Sequence, residues 1–221
     1  TAIKGGFTQI TANAEPKCER IVDKLGEHYA LADVYFKPYT ACRHTHGAAQ
    51  ATLELMRDHR FSAAEVQKVE VFTYGVAMIA VGKGLSTPTF VSAQFSIPYG
   101  VAACLLDGEL GPAQLREQRI ADPRIIELSS RITVAIDEAL DRMYPDKTAS
   151  RVEILLADGR KLVRQVDTPK GDPRDPMDKD DITAKLRRFA GARDQADLER
   201  LIDLVMDIEH LPAIDAVCTA I

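Results

Sequence analysis

The sequence gathers its chemically active side chains in one run, Lys37-Pro-Tyr-Thr-Ala-Cys-Arg-His-Thr-His46, which places Lys37, Arg43, His44 and His46 within ten residues. The run leads into an Ala-rich segment with helical spacing. Backbone N–H groups at a helix start are unpaired and partially positive, so with Lys and Arg beside them they suit a carboxylate or phosphate ligand. Spacing alone also allows a structural reading, with Lys37 and Arg43 in surface ion pairs and the histidines at the helix cap. Cys42, His44 and His46 alternate as zinc ligands on a strand would. A helix beginning near Thr45 breaks that alternation, and no CxxC or HxxxH supplies a second pair, so metal binding is disfavoured.

Tyr74 stands where an alternating segment meets Gly75. A strand end followed by a turn is a common place to present a side chain into a cleft, although a half-buried aromatic with its hydroxyl in water is the plainer reading. Gly75, Gly82 and Gly84 do not make GxGxxG, and neither GxxxxGK[ST] nor GxSxG occurs; nucleotide loops and the nucleophile-elbow hydrolases lose support. Asp172, Asp175, Asp178, Asp180 and Asp181 lack the glycine and terminal glutamate of a calcium loop and read as a solvated boundary.

The elements that must carry these residues follow from periodicity. Residues 14–25 space Cys18, Ile21, Val22 and Leu25 on one helical face, with Gly26 as a stop. Residues 33–39 are aromatic and β-branched around Pro38, hence extended. From Thr45, a possible N-cap, Ala48, Ala51, Leu55 and Met56 mark one side of a helix. Residues 65–74 alternate as a strand, and residues 90–106 read as one buried helix closed by Asp107-Gly108. Asp122 caps a helix that Pro123 begins. Residues 150–156 and 161–166 flank Asp158-Gly159 as a hairpin. After a Pro- and Asp-rich stretch, two amphipathic helices span roughly 179–190 and 195–208, the second with Leu198, Leu201, Ile202, Val205 and Ile208 as its stripe.

Composition narrows the function classes. With 221 residues and a formal net charge of −5, the chain lacks the basic excess of a nucleic-acid binder. Its longest strongly apolar stretch is too short to span a bilayer. Four scattered cysteines, Cys18, Cys42, Cys104 and Cys218, make no disulfide framework and suit a reducing, cytoplasmic setting. The start has neither Met nor an apolar signal core and reads as a cut or processed end.

Three segments in order, Lys37-Pro-Tyr-Thr-Ala-Cys-Arg-His-Thr-His-Gly-Ala-Ala-Gln-Ala51, Ser92-Ala-Gln-Phe-Ser-Ile-Pro-Tyr-Gly-Val-Ala-Ala-Cys-Leu-Leu-Asp-Gly108 and Gly171-Asp-Pro-Arg-Asp-Pro176, resemble the MmgE/PrpD family, as does Gly5-Gly6-Phe7. That family includes 2-methylcitrate dehydratase, cis-aconitate decarboxylase and iminodisuccinate epimerase. The resemblance implies an α+β fold: residues 1–15 join from an absent helical domain, residues 16–170 form a smaller α/β lid with antiparallel strands, and residues 171–221 return to the helical domain. It implies a lyase without cofactor or iron-sulfur cluster, acting on a small di- or tricarboxylate and placed in propionate catabolism. The expected reaction is 2-methylcitrate-type dehydration, with decarboxylation, epimerisation or a catalytically incomplete carboxylate-binding fragment as alternatives. By motif position Lys37 and Tyr74 become catalytic candidates, Arg43, His46 and Ser96 substrate-binding candidates, and Cys42 has no catalytic role. The partners implied are the carboxylate substrate and either a second copy in a homodimer or an N-terminal helical half, without which the chain alone is expected to be inactive; neither nucleic acid nor membrane is among them.

Overall fold

The computed structural model describes residue 17 and residues 22–27, 29–85 and 88–220. These divide between two compact units, residues 1–34 and 35–221. In the first, residues 22–27 form a turn and Ala30–Asp33 a 3-10 turn. The expected segment over 1–15 and most of the expected helix over 14–25, including Cys18 and Ile21, lie outside the described residues, and the described end of that helix is a turn.

The second unit begins with residues 35–42, which have no regular secondary structure, then a 3-10 turn, Arg43–Thr45, running straight into helix α1, His46–His59. Thr45 precedes the helix but makes no capping bond, because its own backbone is already helical at φ −87° and ψ −19°; the preceding turn replaces the cap expected there. Strand β1, Val66–Thr73, ends at Tyr74, and helix α2, Gly75–Val81, begins immediately after. Val66 and Val69 are both buried although three residues apart. A register shift between Val66 and Lys68 reconciles this with strand period two.

The single helix expected over residues 90–106 is two: α3, Phe90–Gln94, and α4, Ile97–Asp107. Ser96 breaks it, since its Oγ accepts the Tyr99 N–H at 3.2 Å and Pro98 suits a first turn but not a helix interior. Phe90, Val91 and Phe95 are consequently exposed, whereas α4 is buried almost throughout and stops at Gly108 as expected. Short helices α5, Glu117–Ile120, and α6, Pro123–Ser130, follow; Asp122 accepts the Arg124 N–H to cap the second. Strand β2, Ile132–Ile136, and helix α7, Glu138–Asp141, are elements that periodicity did not reveal. Strands β3, Ser150–Leu156, and β4, Lys161–Val166, form the expected hairpin. Gly159 turns it with φ +88°, a backbone that residues with a Cβ adopt at a cost.

The sheet order is β2-β1-β3-β4, with β1 parallel to β2 and antiparallel to β3, and β3 antiparallel to β4. Helices α1 and α4 pack against this sheet and each other through Ala48, Ala51, Leu55, Val101, Ala102 and Leu105. Contacts are close: a β-carbon on Gly100 would lie 2.9 Å from Thr45 Cγ2, and one on Gly47 2.9 Å from Ser150 Oγ. Helices α8, Lys179–Phe189, α9, Gln195–Met206, and α10, Asp215–Ala220, complete the chain. Leu198 and Ile202 of the expected α9 stripe are buried, while Ile208 is half exposed beyond the helix end. The fold class is α+β, and no helix among the described residues is long and apolar enough to cross a membrane.

Candidate active site

The end of β1 and the turn before α1 bring Tyr74 and His44 together. Tyr74 Oη lies 2.5 Å from His44 Nδ1, with the rings edge to face at 5.6 Å. Tyr144 stacks on Tyr74 with ring centres 4.8 Å apart. Asp141 Oδ1 accepts the Gly75 N–H at 2.7 Å, fixing the strand-to-helix corner that presents Tyr74. Tyr74 is fully buried, so its hydroxyl is not in water as the plainer sequence reading had it. Burial, reinforced by Tyr144, holds its pKa well above the ordinary phenol value, so it remains protonated. Burial also lowers the His44 pKa, favouring neutral imidazole at pH 7. A neutral His44 either accepts the Tyr74 O–H at Nδ1 or donates Nδ1–H to it, and the second tautomer leaves Nε2 as a base.

Lys37 is exposed on the segment leading to this pair. His46, two residues beyond His44, is fully buried on the first turn of α1, with Nε2 3.3 Å from the Ala41 carbonyl and its ring edge-on to Tyr39. Its Nδ1 has no hydrogen-bond partner among the described residues. Burial, then the Arg43 charge, push its pKa down to about 3, so it is neutral and internal.

Arg43 is buried rather than a surface ion pair. Its Nη1 donates to the Lys170 carbonyl at 2.9 Å and its Nη2 to the Pro169 carbonyl at 2.7 Å, with Asp172 at 3.7 Å and the Tyr35 ring beneath it. Ser96 is also buried, its hydroxyl donating to the Lys83 carbonyl at 2.9 Å while capping α4. The arrangement thus brings together Tyr74 and His44, leaves Lys37 exposed, and turns Arg43, His46 and Ser96 inward. Nor are the aspartates after residue 171 merely solvated: Asp172 is buried between Arg43 and Arg174, Asp178 caps α8, and Asp175 and Asp181 pair with Lys170.

His44 lay within the recognised cluster, but nothing in its spacing separated it from His46; the signal was its place two residues before the helix start. Tyr144 carried no sequence signal. Among the described residues no group of three or more His, Cys, Asp or Glu side chains could hold a metal ion. A cavity of 590 Å³ is lined by Tyr39, Gln50, Glu54, Arg57, Lys170 and Asp181 among others, and one of 520 Å³ lies beside α6. Neither is lined by Lys37, His44 or Tyr74.

Comparison with known proteins places the sequence in a family. Residues 39–209 match the MmgE/PrpD C-terminal domain. Cis-aconitate decarboxylase of Homo sapiens is 26% identical over 219 residues, 95% of this chain and 44% of that protein. The 2-methylcitrate dehydratase of Cupriavidus necator is 31% identical over 172 residues, 73% of this chain and 34% of that protein. The chain therefore spans less than half the length of these relatives, both of them lyases. The segment carrying Lys37 enters the matched region, and the matched region contains His44, Tyr74 and the loop that Arg43 grips: the chain belongs to the MmgE/PrpD family.

Proposed function

We propose that the chain is the C-terminal portion of an MmgE/PrpD lyase, a hydro-lyase acting on a small tricarboxylic acid of the 2-methylcitrate type. In this reading residues 16–170 are the lid and residues 171–221 belong to a helical domain. The observation that carries it is the His44–Tyr74 pair at 2.5 Å with Lys37 on the adjoining segment. Elimination of water from a hydroxy acid removes a proton next to a carboxylate, and the electron pair left behind expels hydroxide on protonation to water. Lys37 supplies positive charge for the carbanion or enediolate that develops there. In the tautomer that donates Nδ1–H to Tyr74, His44 offers Nε2 to take the proton. Arg43 and Ser96, spent on backbone carbonyls and a helix start, act through structure and not by touching substrate.

Decarboxylation is the second reading, favoured by the human relative's match along 95% of this chain. It uses the same charge stabilisation, with carbon dioxide and not a proton as the departing group. Turnover of 2-methylcitrate, citrate, cis-aconitate and iminodisuccinate, measured with this chain alone and with a co-expressed N-terminal region, decides between the readings. Water loss from 2-methylcitrate in the combined preparation supports the first, carbon dioxide release from cis-aconitate the second. No turnover of any of the four sinks both.

A further inference from the structure

Both ends of the segment that carries Lys37 are fastened to one distant loop. At its start, the Phe36 N–H donates to the Gly171 carbonyl at 2.9 Å. Gly171, at φ +86°, lies so close that a β-carbon there would overlap the Phe36 carbonyl oxygen. At its end, Arg43 grips the same loop through the carbonyls of Pro169 and Lys170 and faces the Asp172 carboxylate. Tyr35, next to Phe36, lies under the Arg43 guanidinium at 4.6 Å and so closes the segment on itself.

The loop is itself rigidly built. Gly171 N–H donates to the Asp175 carbonyl at 2.8 Å, and Asp175 N–H to the Asp172 carbonyl at 2.9 Å. Arg174 holds both Asp172 carboxylate oxygens, at 2.8 and 3.0 Å. The Lys170 N–H donates to Gln50 Oε1 at 2.8 Å, which anchors the loop to α1.

We propose that residues 169–175 are a positioning template for the active site, with Gly171 and Arg43 as positioning residues that fix the spacing between Lys37 and His44. The proposal rests on the functional reading above. Residues 35–42 have no helix or strand of their own to hold them, so the loop supplies the missing geometry. A planar, forked guanidinium can serve two carbonyls and a carboxylate at once; a lysine ammonium is a point charge without that fork. Glycine is required at 171 because both its positive φ and its contact with Phe36 exclude a side chain.

The test uses this chain labelled uniformly with 15N, comparing Arg43→Lys, Asp172→Asn and Gly171→Ala with the parent. Arg43→Lys and Gly171→Ala are expected to speed exchange of the Phe36 amide by about tenfold or more and to move the His44 Nδ1 resonance away from its Tyr74-bonded position. Asp172→Asn, which keeps the shape, gives smaller changes of the same kind. In the combined preparation with the N-terminal region, kcat falls roughly 10- to 100-fold with a smaller change in KM, as expected of misplaced rather than missing groups. Lower melting temperatures with an unchanged His44 resonance would overturn the proposal, leaving the loop a purely stabilising one. If Gly171→Ala does not fold, the other two variants decide by the same readouts. Failure of the functional reading shows separately, as a Lys37→Ala variant that turns over as fast as the parent, because resonance and exchange do not depend on turnover.

Discussion

At the scale of single residues, exposure separates Lys37 from the side chains that hold the fold. Lys37 is exposed, and its replacement costs little packing. Lys37→Ala is therefore expected to lower turnover on the order of 100-fold or more while shifting stability by less than about 0.5 kcal/mol. Thermal melting beside steady-state kinetics checks this, and equal loss in both would remove Lys37 from the site. Tyr74→Phe keeps the stack on Tyr144 but deletes the bond to His44. Turnover should drop about 10- to 100-fold, with roughly 1 kcal/mol of stability lost; unchanged kinetics would return the tyrosine to the core. His46 carries a different signature. Its folded pKa, about 3, lies below the value of about 6.5 expected when unfolded. The unfolded chain thus binds the proton first, and stability present above pH 6.5 declines as pH falls toward 3. By pH 5 the loss is about 2 kcal/mol, above the range where carboxylates titrate. His46→Gln, which keeps a donor for Ala41, should flatten that slope in urea melts collected between pH 7 and pH 5.

At the scale of elements, the alternating strands β1, β3 and β4 were legible because each buries one face, and the hairpin because Asp158-Gly159 demands a turn. Strand β2 escaped notice: its five residues follow α6 after Arg131 alone and bury fully only Ile132, so no alternation marks it. The break between α3 and α4 was hidden by continuous apolarity, yet Ser96 three residues before Tyr99 was its signal. Ser96→Ala is predicted to cost about 1 kcal/mol through the lost cap and to leave KM for a carboxylate substrate unchanged; a large rise in KM would restore the substrate contact that motif position implied. The crossing of α1 and α4 depends on Gly100. Gly100→Ala places a methyl against Thr45 and Leu110 and should cost about 1–3 kcal/mol in denaturant melts, with no change in the His44 resonance.

At the scale of the whole molecule, the three family motifs are three pieces of one construction. The first carries Lys37 and His44, the second caps and buries α4, and the third is the loop gripped by Arg43. Composition could place none of these relative to one another, since Arg43 and its carbonyl partners are 126 and 127 residues apart. Locally, Arg43 had every mark of a surface or substrate cation. Its burial follows from long-range contacts that no window of sequence contains. The net charge of −5 similarly says nothing of where cations collect, whereas the order of the motifs along the chain does.

The strand order β2-β1-β3-β4 also sets a sequence of events in time. The β3–β4 hairpin joins neighbours across a turn of a few residues and can form within microseconds. Strand β1, in contrast, must await partners that lie far along the chain on both of its edges, closures that cost chain entropy before any contact repays it. Tyr74 stands at the end of that late-arriving strand. By this loop-closure argument the His44–Tyr74 pair is held in place only once the central strand has docked.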